Sequence, residues 1–197
     1  VLDEIVRSKS SCGAEHFVFV AEYLEEDSVE RPMDVLRYSV SLMETVLRLH
    51  NEVGMIHCGL KTDNVRWNKG VIKLIDFEMA QNIVNATWMP GPPDFTAPEI
   101  LKKLPCSTKT DAFSVGKTIL TKLETVRDKS LNDTISSICN ALHDIAVKLT
   151  DTDPDERWTL EQALDQIEKR TPQHLIPASV WKKRSAESEL VSGDLKK

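Results

Sequence analysis

Between residues 33 and 50, apolar side chains recur at helical spacing: Leu36, Val40, Met43 and Leu47 are separated by four, three and four residues. Leu42, Val46 and Leu49 widen the stripe, so one face of this helix must be covered by other parts of the chain. Gly54 is placed to end it. The same spacing returns later. Ile135, Ile138, Leu142, Ile145 and Leu149 alternate threes and fours, and Phe113, Gly116, Leu120 and Leu123 lie on one predicted face. Thr159 with Gln162 forms a capping box ahead of Leu160, Ala163, Leu164 and Ile167. A chain with several such stripes builds a helical body, and its 197 residues suffice for one domain with a sizeable core.

Strand signals are fewer. His16 to Tyr23 is rich in β-branched and aromatic residues and reads as a buried strand. Val71 to Phe77 is a second strand region, while residues 1–10 have no decisive pattern. Residues 55–67 read as polar and irregular, anchored by Ile56, Leu60 and Val65. Gly91, Pro90, Pro92, Pro93 and Pro98 make residues 78–98 a long loop, longer than simple connection needs. Beyond Thr171 the chain turns polar, with a short basic cluster at Lys182, Lys183 and Arg184 that reads as a solvated tail or, more weakly, as a nuclear-import or partner signal.

Charge and cysteine usage narrow the function classes. A net charge of −6 gives no electrostatic help toward nucleic acid. No apolar run reaches the roughly 18 residues a membrane helix requires. Cys12, Cys58, Cys106 and Cys139 are far apart in sequence, without a C-x-x-C pair, and read as reduced thiols rather than a zinc or disulfide framework. The histidines lack metal-ligand spacing. Reduced thiols suggest an intracellular, cytoplasmic protein, and the start at Val1 with no leader pattern suggests an excised or truncated piece.

Five short motifs then appear in order. His57-Cys58-Gly59-Leu60-Lys61-Thr62-Asp63-Asn64 matches the pattern H-R-D-L-K-x-x-N, and Asp76-Phe77-Glu78 matches D-F-G. Ala97-Pro98-Glu99 matches A-P-E, and Asp111, Phe113, Ser114 and Gly116 match D-x-W/F-S-x-G. Asp153, Pro154, Arg157 and Thr159 match a closing D-P-x-x-R-x-T. Singly each is weak. In this order, at these spacings, they resemble the eukaryotic-type, Ser/Thr-kinase-like protein kinase family over about residues 10–170.

The resemblance implies an α+β, mostly α fold of the protein-kinase type. Its parts would be a helical C-terminal lobe, a hinge strand and a small β-hairpin after the catalytic loop, with the N-terminal lobe largely missing. Residues 1–24 would be the remnant of that lobe, 25–170 the C-lobe and 171–197 a polar tail. Glu22 and Leu24 would be the hinge that holds adenine through its backbone. The sequence holds neither the Gly-rich loop nor the V-A-I-K lysine of an ATP site.

For chemistry, the resemblance implies that Asp76 and Asn64 ligate magnesium and that Lys61 faces the γ-phosphate of Mg-ATP. The alternative is that these residues remain as hydrogen-bonders that shape the loop. The base that would accept the substrate proton is replaced by Gly59, with Asp63 the nearest carboxylate and implied to point away. Such a base contributes about 10²–10⁴ in rate. Cys58 replaces the arginine that would pair a phosphorylated activation loop, and Pro92 stands where a substrate-loop threonine is usual. Thr87 and Thr96 are the hydroxyls of the segment 76–99. Glu78 replaces a turn glycine and puts a second carboxylate beside Asp76. Arg66 occupies the apolar adenine floor and must be paired or solvated.

Scaffold residues follow the family. The resemblance implies a buried Glu99–Arg157 ion pair, Asp111 accepting from the backbone near His57, and His57 stacked on Phe77. Trp158 is expected to pack on the body, and Trp67 and Trp88 to serve as core packing or surface anchors. The pattern implies a pseudokinase acting as a protein-binding or regulatory module, whose partner would be a kinase or a kinase substrate. Two alternatives stand beside it: a residual ATP-dependent Ser/Thr phosphotransferase completed by an N-lobe outside this chain, and a truncated fragment without function.

Overall fold

The computed structural model describes the backbone of residues 2–9 and 15–21, and residues 26–126, 133–172 and 175 in full. Glu22, Leu24 and the basic cluster at 182–184 lie outside the described residues. The fold is mostly helical with a few short strands.

Two strands, β1 (Leu2–Lys9) and β2 (Glu15–Ala21), pair antiparallel, with Ile5 opposite Phe19. Residues 1–10, expected to be without pattern, therefore supply a strand. The charged side chains Asp3, Glu4, Arg7 and Lys9 interrupt any apolar alternation there, so pairing to β2 rather than local pattern defines it.

Helix α1 (Pro32–Arg48) starts with proline at its first position, where the missing N–H costs nothing. The Arg31 guanidinium closes on Asp34 with bonds of 2.7 and 3.0 Å. Its stripe is buried as the spacing predicts, including Val35, Leu36, Val40, Leu42, Met43 and Val46. Each such side chain contributes about 1.5–3 kcal/mol on leaving water. The helix does not stop at residue 50: a π turn over Leu49–Val53 follows, and Gly54, at φ 73°, ends it in the left-handed region.

Short elements then frame the loops: β3 (Met55–Ile56), a 3₁₀ turn over Thr62–Asn64, β4 (Val65–Asn68), β5 (Val71–Leu74) and β6 (Gln81–Asn82). β3 pairs with β6, and β4 with β5. The hairpin β4–β5 corrects the irregular reading of residues 55–67. Val65 and Trp67 turn inward while Arg66 and Asn68 stay half-exposed, and Lys69 and Gly70, both at positive φ, make the turn. Strand β5 ends at Leu74, short of the expected Phe77.

The helical body follows, with α2 (Pro98–Leu101), α3 (Thr108–Glu124), α4 (Asp133–Leu149) and α5 (Leu160–Arg170). α1 packs on α3, α4, α5 and β5, and α3 packs on α4. The capping box at Thr159 is present, with reciprocal bonds of 2.9 and 3.3 Å to Gln162. α3 is buried nearly all round from Thr110 to Ile119, so its apolar residues do not share one face. Leu123 joins the main core, whereas Phe113 belongs to a separate cluster with Ile56, Cys58, Ala97, Ile100 and Cys106. Trp67 is buried against Tyr38, with ring centroids 5.8 Å apart, and Trp158 packs on the core. Trp88 remains 39% exposed; its indole N–H donates to the Ile100 carbonyl at 2.8 Å, and the Lys103 ammonium lies 5.9 Å from its ring centroid. Among the described residues no helix is long and apolar enough to cross a membrane.

Candidate functional site

The site is a loop held from below by one buried carboxylate. Asp111, in the first turn of α3, is completely buried. Its Oδ2 accepts from the His57 backbone N–H at 2.8 Å, and its Oδ1 from that of Cys58 at 3.0 Å. His50 Nε2, carried by the π turn after α1, bonds Oδ2 at 2.9 Å. A buried carboxylate is costly unless its lone pairs are satisfied, and these donors satisfy it. They also hold Cys58 at φ 60°, a left-handed conformation that a non-glycine residue adopts only when its surroundings impose it.

His57 continues the frame. Its Nε2 lies 3.2 Å from the Ile75 carbonyl and its Nδ1 3.3 Å from the Gly59 N–H. A carbonyl only accepts and an amide only donates, so the proton sits on Nε2. The ring packs on Phe77, centroids 4.8 Å apart. Asn64 turns its amide to both neighbours, donating to the Gly59 carbonyl at 2.9 Å and to Asp76 Oδ2 at 3.2 Å. Asp76 is exposed and adopts φ 64°.

At the centre stands Gly59. Its backbone makes both of these bonds, and it carries no side chain. A Cβ built there would have His57 Nδ1 at 3.6 Å and Met79 Cβ and Sδ at 3.8 Å as its nearest atoms. These are ordinary contacts. The backbone has no positive φ that would demand glycine, in contrast to Gly54 and Gly70. Neither space nor conformation therefore explains the missing side chain. Asp63 is 77% exposed and pairs with Lys61 at 3.7 Å, so both charges sit at the surface. Glu78 and Asp76 are both exposed, and water weakens the repulsion expected between them.

Arg66 pairs with Glu26 at 2.9 Å, on the outer face of the β4–β5 hairpin opposite Val65 and Trp67. Glu99 and Arg157 form a two-pronged buried ion pair with bonds of 2.7 and 2.8 Å. Arg157 also donates to the carbonyls of Lys109 and Asp151, at 2.8 Å each. Burial alone would push the Glu99 carboxyl up. The hydrogen bonds and charge of Arg157 outweigh burial, with help from Glu99's own N–H and from Thr110, and hold it below the usual carboxylate range. Thr96 gives its hydroxyl to the Pro92 carbonyl at 2.6 Å, and Thr87 gives its hydroxyl to Gln81 at 3.0 Å.

Residue types gave no sign of two further features. His50 is a ligand of the same carboxylate that holds the loop, although its sequence position marks it only as the end of a helix. Cys58 and Cys106, 48 positions apart in sequence, share one buried cluster.

Comparison with known proteins places this arrangement. The family profile described as protein kinase domain matches residues 3–167. The smooth-muscle myosin light chain kinase of Gallus gallus is 28% identical over 130 residues, which are 61% of this chain and 7% of that protein. Cell division control protein 7 of Schizosaccharomyces pombe is 34% identical over 93 residues, which are 46% of this chain and 9% of that protein. The chain thus spans a small part of the length of these relatives. On the profile match, which takes in the loop held by Asp111 and the helical body, this chain belongs to the protein kinase domain family.

Proposed function

We propose that this domain is a pseudokinase module that binds protein and does not transfer phosphate. The observation that carries this is Gly59, a residue without a proton acceptor, in a loop whose backbone is otherwise fully braced by Asp111, His57 and Asn64. Phosphoryl transfer depends on positioning and charge neutralisation, plus a group that receives the hydroxyl proton. Asp63, exposed and paired with Lys61, offers no replacement at the centre of the loop. Incubation of the full chain with Mg-ATP and a hydroxyl-rich acceptor protein checks this: no acceptor phosphate should accumulate, and steady turnover would refute the proposal.

A second reading keeps nucleotide binding without transfer. Asn64 and Asp76 lie together, the amide nitrogen 3.2 Å from Asp76 Oδ2, and a carboxylate with the oxygen of that amide is a donor set that suits a hard cation. Magnesium, when bound with ATP, supplies charge neutralisation at the phosphates. Asn64 and Asp76 would hold it, and Lys61 would lie toward the γ-phosphate. A rise in melting temperature with Mg-ATP that is lost in Asp76→Ala supports this, and an unchanged melting temperature at millimolar nucleotide removes it.

For the protein partner, a kinase or a kinase substrate in our proposal, the support is apolar surface. Val84 (93% exposed), Leu101 (75%) and Leu104 (49%) are left in water along the segment between Asp76 and α3.

A further inference from the structure

Residues 86–97, ahead of α2, belong to no helix or strand, and the run Met89-Pro90-Gly91-Pro92-Pro93 lies within them. Proline fixes its own φ and pushes the residue before it to extended backbone; Met89, Gly91 and Pro92 each precede a proline. Gly91 does not take a positive φ. The Phe95 N–H donates to the Pro92 carbonyl at 3.3 Å, and Asp94 stands at φ 66°. Pro92 to Phe95 is therefore a type II turn, and Pro93, at its second position, has extended backbone as well. The run is a short polyproline helix closed by a tight bend.

Such a helix repeats every three residues, so Pro90 and Pro93 share one edge. Both are exposed, whereas Gly91 and Pro92 are half-buried. The inner side is held close to the body. A Cβ on Gly91 would stand 2.5 Å from Thr96 Oγ1. The Thr96 hydroxyl donates to the Pro92 carbonyl at 2.6 Å, and the Ser114 hydroxyl of α3 donates to the Phe95 carbonyl at 2.9 Å. The turn accounts for Pro93, but it does not require the exposed ring of Pro90.

We infer that Pro90 and Pro93 are the two anchors of a docking ridge for a partner domain with an aromatic-lined groove of the SH3 kind. Proline rings on one edge of a polyproline helix fill pockets between aromatic side chains. Here the ridge is ordered before binding, so little conformational freedom is lost on docking. Charge selects the groove further. Trp88, two positions before Pro90, lies beside Lys103, whose ammonium is 5.9 Å from the ring centroid, and Lys102 and Lys103 are both exposed. This local positive charge stands on a chain of net charge −6, so a groove with a carboxylate at that end is the complementary one. The inference rests on the protein-binding part of the function proposed above, whose partner chemistry it names, and is independent of Gly59.

The test titrates the folded full chain against an array of purified SH3 domains. Saturable binding to at least one is expected. Pro90→Ala should weaken it about tenfold or more, with the melting temperature unchanged. Lys103→Glu should weaken it too and reduce its dependence on salt. Should Pro90→Ala lower the melting temperature, Lys103→Glu decides, and binding unaffected by that change overturns the inference. So does binding that a stably folded Pro90→Ala leaves intact, and so does a chain that no domain of the array binds. A synthetic peptide of residues 86–96 that binds these domains when the folded chain does not overturns it as well, because the ridge would then not be presented. Phosphate transfer by a chain that still binds through Pro90 would refute the pseudokinase assignment alone, and absence of both binding and transfer would refute the ridge alone.

Discussion

Gly59 lies in the loop that Asp111 holds, and the two residues carry opposite duties. Asp111 is all scaffold: its oxygens take the N–H groups of His57 and Cys58 and the ring of His50. Asp111→Ala would strand these buried donors, at about 1–3 kcal/mol for each unsatisfied group. Urea unfolding should show a fall in stability of at least that size. Asp111→Asn, which keeps an acceptor, should lose less. Gly59 carries no such burden. With the nearest atoms to a built Cβ at 3.6 and 3.8 Å, Gly59→Ala should change stability by no more than about 0.5 kcal/mol. A large loss there would mean that the loop needs glycine for its shape.

The Glu99–Arg157 pair belongs to the same scale. Removing one partner of a buried pair leaves the other charge uncompensated, at about 3–5 kcal/mol, so Glu99→Ala should be among the most damaging changes in the body. Its pH dependence has a fixed sign. The folded Glu99 pKa lies below its unfolded value of 4.5, so the pair's contribution is complete above that value. It is lost as pH falls from there through the folded pKa. Chemical unfolding followed from pH 6 downward should show Glu99→Gln losing less stability than the unmodified chain across that window.

Among the elements, helix α3 is the most exacting. At Gly116 a Cβ would stand 2.8 Å from Leu149 Cβ and from Thr150 Cγ2, and 3.0 Å from the Ala146 carbonyl. α3 and α4 therefore touch backbone to side chain at this point. Gly116→Ala gains about 0.5–1 kcal/mol of helix propensity but forces the helices apart, at about 1–3 kcal/mol. The net change should be destabilising, and a thermal melt that rises instead would contradict this packing. The elements also show what a sequence discloses. The stripe of α1 and the cap of α5 are legible because they depend on neighbours three and four positions away. Strand β1 is not, because it is defined by its pairing with β2. The β4–β5 hairpin carried a readable signal in the alternation of Val65 to Asn68 and in Lys69-Gly70, obscured by the charge of Arg66.

Over the whole molecule, the contact that braces the loop, His57 with Asp111, and the one that ties the body, Glu99 with Arg157, are made between residues tens of positions apart. Periodicity cannot reveal these; only motif resemblance pointed to them. The buried cluster that holds both Cys58 and Cys106 had neither signal, since it exists only once the loop folds onto the segment before α3. What the folded chain offers, on the function proposed here, is a protein kinase domain with Gly59 where a base would stand. The most direct measurement is phosphate transfer from Mg-ATP to an acceptor protein by the full chain and by Gly59→Asp, side by side under single-turnover conditions. The carboxylate variant should be faster by at least about 10². Equal rates in the two, at whatever level, would contradict the assignment of the defect to Gly59.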